Sequence, residues 1–294
     1  MRRYLTLGLT TLCLGATHLI GQTTECSLPA PVDSIPSAIA VEIGVADEAH
    51  DVPPHETNEL LRQLANRITL PRVIAPRVFG DFATPPTLKV WGRDASSQPA
   101  TPPPLPVIVT NWLRVDVRAD GSLDNLVWLA TSYDSAVDAA LLAAVRGLDS
   151  TKAFTPFAQF VHLDGHRVMT MDIRLRTTVA GTRSAYISQN STTHRSWLVE
   201  NRPLPRYPVR GRPIKHNHPP LMLPPDARDA MHWPHVFGEV TIDETGHLVP
   251  GSLFPYVGHL KVVEAVRHQL PVFTYLPAYI GNCAVKFRDL VNLE

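Results

Sequence analysis

VDVRADGSL at 115–123 and EVTIDETGHL at 239–248 carry one pattern twice: apolar and polar residues alternate, an acid follows, then a glycine, then leucine. Alternation with a period of two marks a strand with one face buried, and the glycine supplies the tight turn that sends the chain back beside itself. Around the first stretch, NWLRVDVRA from Asn111 is the outgoing strand, Asp120-Gly121 the turn and LDNLVWLA the return. A helix follows over Ser132 to Val145, with Ser132 or Asp134 as its cap, Val137, Leu141, Ala144, Val145 and Leu148 on one face, and Gly147 at its end. Phe154, Pro156 and Phe157 lead to a second hairpin at Asp164-Gly165. Its return strand, Val168 to Leu175, turns Met169, Met171, Ile173 and Leu175 one way and Thr170, Asp172 and Arg174 the other.

Around the second stretch the order recurs. A short helix over Pro225 to His232 precedes the strand Val236 to Asp243, Gly246 turns it into Leu248 to Phe254, a helix covers Leu260 to Leu270 with Val262, Val263, Val266 and Leu270 on one face, and Ala284 to Arg288 closes. AAVRGL (143–148) answers to EAVRHQL (264–270), and AFTPF (153–157) to VFTYLPA (272–278). Four elements matched in order imply an internal duplication. The expected fold is α+β, with two small tandem domains, each an antiparallel sheet of about three strands with helices on one face.

Upstream, Ala38 to Ala46 (AIAVEIGVA) reads as a strand ended by Asp47, Glu48 and Pro53. Leu60, Leu61, Leu64, Ala65 and Ile68 recur at helical spacing within Glu56 to Leu70, and Pro71 stops that helix. Residues 76–106 are proline-rich, with PATPPPLP at 99–106, and read as an extended spacer. Thr177 to Asn201 is polar and poor in large aliphatics, which suits a linker. The expected division is a signal segment over 1–21, an N-terminal segment with a strand over 22–55, a first domain over 56–178, a linker over 179–204 and a second domain over 205–294.

The amino terminus speaks to location. Met1, Arg2 and Arg3 supply positive charge before the apolar run LTLGLTTLCLGAT (5–17), the pattern of a secretory signal. Cleavage near Gly21 gives a periplasmic or secreted protein, whereas an uncleaved segment would anchor the chain in the inner membrane. Leu12 stands before Cys13 where a lipoprotein signal needs a small residue, which argues against lipidation. Removal of the signal leaves Cys26 and Cys283. In an oxidising compartment they have one disulfide connectivity open to them, the other reading being two unrelated thiols, one buried as a small hydrophobe.

Of the 294 residues, 44% are hydrophobic and 18% charged, so the chain can bury a core. Lys plus Arg equal Asp plus Glu at 27 each, which lacks the basic footprint of nucleic-acid binding. Its 28 prolines favour many short elements over long helices. No serine-nucleophile elbow, phosphate-cradling glycine loop or dinucleotide fingerprint occurs, so no catalytic residue and no cofactor are assigned. Asp120, Asp124, Asp134 and Asp138 fall at a turn and a helix start, where acids cap and complement the dipole. His216, His218, His232 and His235 lack a ligand spacing, and no metal is assigned. His162 and His166 read as a polar hairpin end, and Asn190-Ser191-Thr192 is a glycosylation sequon by pattern alone. Trp112 and Trp128 suggest a cross-strand cluster in the first hairpin, Phe154 and Phe273 equivalent core anchors, and Tyr207 packing at the start of the second domain.

The repeated order resembles the TonB C-terminal domain family. The second copy carries the likeness through Tyr207-Pro208, PPDARDAMHWPHVFGEVTIDETGHL, EAVRHQLPVFTYLPA and CAVKF; the first carries it through DVRADGSL, SYDSAVDAALLAAVR and AFTPF. Together they span about two thirds of the chain. The resemblance implies an open sheet edge that recruits a peptide strand by its backbone, at Ala284, Val285, Lys286, Phe287 and Arg288, with Met169 to Leu175 as the equivalent strand in the first domain. Lys286 and Arg288 would then either contact a peptide or guard the edge against aggregation, and the two edges could instead pair with each other. The proline-rich PATPPPLP, at about 3.1 Å per residue, is too short to bridge a periplasm. The expected function is a non-enzymatic adaptor that adds a strand from an envelope or outer-membrane transport protein. The alternatives are a membrane-anchored energy transducer, a metal-dependent envelope enzyme and an assembly component that self-associates through its sheet edges.

Overall fold

Gly121 and Gly246 both take a positive φ, 80° and 90°, so the chain reverses at both duplicated stretches. The turns share their bonding. Arg118 N–H donates to Ser122 O at 2.9 Å and Gly121 N–H to Arg118 O, while Asp243 N–H donates to His247 O at 2.9 Å and Gly246 N–H to Asp243 O. Gly246 is also fixed by proximity, because a Cβ there would lie 1.9 Å from the Tyr275 carbonyl oxygen.

The computed structural model describes residues 26–48, 54–81, 102–150, 167–179, 195–223, 225, 236–257 and 260–293. In chain order they form β1 (Asp33–Ile35), β2 (Ser37–Glu48), helix α1 (Pro54–Arg67), β3 (Val78–Gly80), β4 (Leu105–Pro106), β5 (Trp112–Arg118), β6 (Leu123–Ala130), helix α2 (Ser135–Ser150) and β7 (Arg167–Val179). Then come β8 (Arg195–Asn201), β9 (Leu204–Tyr207), β10 (Val209–Gly211), β11 (Ile214–Asn217), β12 (Val236–Ile242), β13 (Phe254–Val257), helix α3 (Leu260–Gln269) with a 3-10 turn over Leu270–Val272, β14 (Thr274–Leu276), β15 (Ala278–Ile280) and β16 (Cys283–Leu293). This is a mixed α+β structure of several largely antiparallel sheets. Among the described residues no helix is long and apolar enough to cross a membrane.

The first large sheet runs β6-β5-β7-β2-β8. Alternation aims Leu113, Val115 and Val117 of β5, Met169, Met171, Ile173 and Leu175 of β7, and Ile39, Val41 and Ile43 of β2 onto one face. Helices α1 and α2 close that face with Leu60, Leu61, Leu64, Ala65 and Ile68, and with Val137, Leu141, Ala144, Val145 and Leu148, the residues expected from helical spacing. Asp134 caps α2, its carboxylate accepting the N–H of Ala136 at 3.0 Å. The second sheet runs β10-β15-β16-β12-β13, with the short β3 parallel to β16. Its core joins Val236, Val240 and Ile242 of β12 and Val291 and Leu293 of β16 to Val262, Val263, Val266 and Leu270 of α3 and its terminal turn. A third cluster collects Phe79, Leu105, Val107, Tyr207, Val209, Ala278, Ile280 and Phe287.

Several features depart from the expectations: β3 and β4 lie within the expected spacer 76–106, and Gly147, expected to end its helix, lies inside α2. The sheets are wider than about three strands, because β2 and β8 extend the first and β15, β10 and β3 the second. Arg195–Asn201, within the expected linker, form β8, paired antiparallel to β2. The return after Gly246 is broken: Leu248 bridges Ile242, Gly251 at φ 76° makes a further turn, and β13 begins only at Phe254. Ser252 Oγ secures that break, donating to Val249 O at 2.7 Å and accepting from Thr241 N–H at 2.9 Å. The expected signal segment, residues 99–101 of the PATPPPLP run, Phe154, the Asp164-Gly165 turn, His162, His166, the sequon, most of the Pro225 to His232 helix, His232 and His235 lie outside the described residues.

Cys26 and Cys283 are joined by a disulfide, with Cα atoms 5.6 Å apart, across 257 positions of sequence. It ties the 26–35 segment, whose Leu28 packs on the third cluster and whose β1 pairs with β9, to the first residue of β16. A crosslink of this span removes denatured-state entropy worth roughly 2–5 kcal/mol. Reduction with alkylation, or Cys26→Ser, is therefore expected to lower the unfolding free energy in urea by that much, with a lower midpoint, without changing the final native circular dichroism. An unchanged midpoint would mean that the 26–35 segment contributes nothing to the fold's stability.

Candidate functional site

β16 is an interior strand of the second sheet and not its edge; of the five expected residues, Phe287 and Arg288 have strand partners on both sides and Ala284, Val285 and Lys286 on one. Arg288 and Phe287 pair with Thr241 and Ile242 of β12 on one side. On the other, Ala284 and Val285 pair with Tyr279 and Ala278 of β15, and Lys286 to Arg288 run parallel to Val78–Gly80. The physical reason is that the chain covers this edge itself, seating Phe79 in the third cluster edge-on to Tyr207 at a ring distance of 5.4 Å. The equivalent strand of the first sheet, Met169 to Leu175, lies likewise between β5 and β2. Lys286 and Arg288 have internal partners. Lys286 Nζ lies 2.7 Å from Glu244 and 4.4 Å from the Tyr133 ring centroid, and Arg288 is buried against Glu239 and Thr241.

Those partners belong to a charged layer between the two sheets. The strand faces that alternation points away from the helices meet each other here. Glu42 of β2 and Arg174 and Arg176 of β7 face Glu239 and Thr241 of β12 and Arg288 of β16. Glu42 pairs with Arg174 and Arg176; Glu239 lies 3.2 Å from Arg176, 3.3 Å from Arg288 and 3.7 Å from Arg174. Glu239 and Arg288 are 1% and 2% exposed, so neither charge is hydrated and each depends on the others. The Arg174 guanidinium also stacks 3.7 Å over the Phe254 ring, which meets Trp112 edge-on at 4.9 Å. Trp112 thus faces the second sheet while Trp128 packs toward the helices, so the two do not form the expected cross-strand cluster.

With β7 and β16 covered, the margins of the two large sheets are, among the described residues, β6, β8, β10 and β13. Three of them are blunted. β10 has three residues, β13 has four with Pro255 among them, and β6 has two register shifts and Asn125 at φ 49°. β8 has seven residues and is paired to β2 on one side only among the described residues. Trp197 opposite Val41 and Leu198 opposite Ala40 are 40% and 48% exposed on it. An edge of this length with two large apolar side chains offers both backbone and side-chain partners to an added strand. Sequence reading missed it because RSWLVEN is short and flanked by polar residues; its signal was the Trp-Leu-Val run itself.

The acids expected to be structural have structural partners. Asp120 accepts Ser122 N–H, Asp124 pairs with Arg118, Asp134 caps α2, and Asp138 accepts Ser132 N–H and the Asn111 amide. His218 packs edge-on against Phe273 and Tyr275, at 5.2 and 4.7 Å. Burial, with Lys215 nearby, pushes its pKa down to about 4. Its Nε2 and the Tyr275 hydroxyl are buried without a hydrogen-bond partner among the described residues. Among the described residues no three His, Cys, Asp or Glu side chains converge as metal ligands.

No family model, curated protein or solved structure matches this chain.

Two outcomes are expected of these groups. Glu239→Ala leaves Arg176 and Arg288 buried without their shared carboxylate and should cost about 3–5 kcal/mol in urea unfolding; a loss below about 1 kcal/mol would mean that water enters the layer. His218 has a folded pKa below its unfolded value, so its contribution is present above about pH 6.5 and falls away as the pH drops toward about 4. His218→Phe should flatten the stability profile in that window relative to wild type, and parallel profiles would refute the assignment.

Proposed function

We propose that the chain is a non-enzymatic protein-binding adaptor of the cell envelope, which captures an extended segment of an envelope or outer-membrane transport protein by strand addition. The observation that carries this reading is the open β8 edge, Arg195–Asn201, with Trp197 and Leu198 exposed along it. A β-strand edge is a row of N–H and C=O groups at a fixed spacing, so an incoming strand gains a backbone ladder there, and alternate side chains select its sequence. The binding edge is accordingly placed on β8, since β16 has its partners within the chain.

The reading includes two tandem domains similar to the TonB C-terminal domain. Its support is the shared order of hairpin, helix and closing strand, β5-β6-α2-β7 and β12-β13-α3-β16, in which the closing strand lies next to the first hairpin strand in both sheets. The matched turns support it further, with Val115 and Val117 holding the inward places that Val240 and Ile242 hold in the other sheet. The Cys26–Cys283 bond favours an oxidising compartment, the periplasm in this reading.

A double variant, Trp197→Lys with Leu198→Lys, puts two charges on the edge and should leave the thermal midpoint nearly unchanged. It should weaken capture of a partner from solubilised envelope by at least about tenfold, because lysine on an edge strand opposes pairing. Affinity capture with quantitative mass spectrometry reads this directly, with Lys286→Ala as the control expected to retain the partner. Capture by the double variant equal to wild type would overturn the proposal.

A further inference from the structure

We infer that the β8 edge takes an extended segment with an apolar middle and a carboxylate near each end. This rests on the strand-addition reading of that edge and goes on to name its partner's chemistry. The apolar part follows from Trp197 and Leu198. Neighbouring strand residues point to opposite faces, so the two present one large apolar contact above the sheet and one below it. A partner strand covers both only with apolar residues at neighbouring positions near its centre.

The charged part follows from the two ends of β8. Arg195 opens the strand, and among the described residues no carboxylate pairs with it. At the other end, Arg202 donates to the Pro71 carbonyl at 2.7 Å, which brings the Pro71-Arg72-Val73 turn alongside. Arg72 is exposed there without a carboxylate partner among the described residues, next to Val73, which is 81% exposed. The neighbouring described acids are engaged elsewhere: Glu200 with Arg202, Glu59 with Arg62, and Glu42 with Arg174 and Arg176 inside the charged layer. The edge therefore carries a guanidinium near each end, and its one carboxylate, Glu200, is paired with Arg202. At about 3.3 Å per residue the seven-residue strand is about 20 Å from end to end, so acids that meet its two ends lie about six positions apart in the partner. Arginine suits this task, since its planar fork takes a carboxylate through two hydrogen bonds.

The test uses the full mature chain with its disulfide intact and synthetic, end-capped peptides of about nine residues that share one β-branched apolar centre. One carries aspartate near each end about six positions apart, one asparagine and one lysine in the same places. Fluorescence anisotropy should show the aspartate peptide binding about tenfold more tightly than the asparagine peptide at low salt, with the lysine peptide weakest, and the preference shrinking at about 300 mM salt. Arg72→Gln with Arg195→Gln should remove the preference and leave the asparagine peptide's affinity unchanged. Equal affinity for all three peptides, abolished by Leu198→Lys, would overturn the charge inference and leave the strand edge standing. A preference for aspartate that survives the double arginine variant would place the charges elsewhere and overturn it as well. Binding by none of the peptides at millimolar concentration would overturn the inference and the edge reading together.

Discussion

Glu239 is the carboxylate on which the meeting of the two sheets depends. It lies between Arg176 from the first sheet and Arg288 from the second, with Arg174 close by, and water does not reach it. Taking such charges out of water costs several kcal/mol per ion, and their attraction offsets this only when geometry and hydrogen bonding are nearly complete. Thr241 completes one side by accepting from Arg288 at 2.9 Å, and Glu42 completes the other by pairing with both β7 arginines. An apolar layer would hold two sheets together with less demand on direction. Charges at fixed positions instead select which residues face each other, because Glu239 reaches Arg176 and Arg288 together only in one register of β12 against β7.

That registration has consequences for the rest of the chain. Once β12 and β16 lie against β2 and β7, the outer face of each sheet must be closed by helices, and the apolar stripes of α1, α2 and α3 do so. The strand that would have been open in each sheet becomes central, because β2 joins β7 and because β15 and β3 join β16. β3 arrives from the segment between α1 and β5 and contributes Phe79 to a cluster otherwise built largely from the later part of the chain. The disulfide acts at the same place, fastening the 26–35 segment beside the start of β16. The chain's early and late parts are thus joined three ways, by ion pairs, by strand pairing and by a covalent bond.

The local pattern was legible in the residues. The turn glycines, the period-two runs of β5, β7 and β12 and the apolar faces of α1, α2 and α3 fall where periodicity and turn chemistry place them. What periodicity leaves open is the neighbour on each side of a strand. It also leaves open whether a polar face meets water or another sheet. Glu42, Arg174 and Glu239 occupy positions that alternation assigns to the side away from the helices, and they are there. That side is a second buried interface, and nothing in a strand's own sequence distinguishes an exposed charged face from one whose opposite charges arrive from a remote strand. For the same reason Lys286 to Arg288 read as an edge while their covering strand lay some 200 positions upstream.

The exposed margin of β8 follows from this same closure. A sheet that buries one face under helices and the other against a second sheet has no surface left for recognition except its margins. Among those margins, length and regularity decide which can accept a strand, and bulges, prolines and brevity remove β6, β13 and β10. β8 escapes each of these blunting devices except one register shift near Val199, and it places Trp197 and Leu198 before that shift, on the regular part of the strand. A monomeric protein under no pressure to bind would be expected to carry lysine or proline at such positions. Large apolar side chains on an unblunted edge are a liability toward self-pairing, which makes sense where a partner strand covers them.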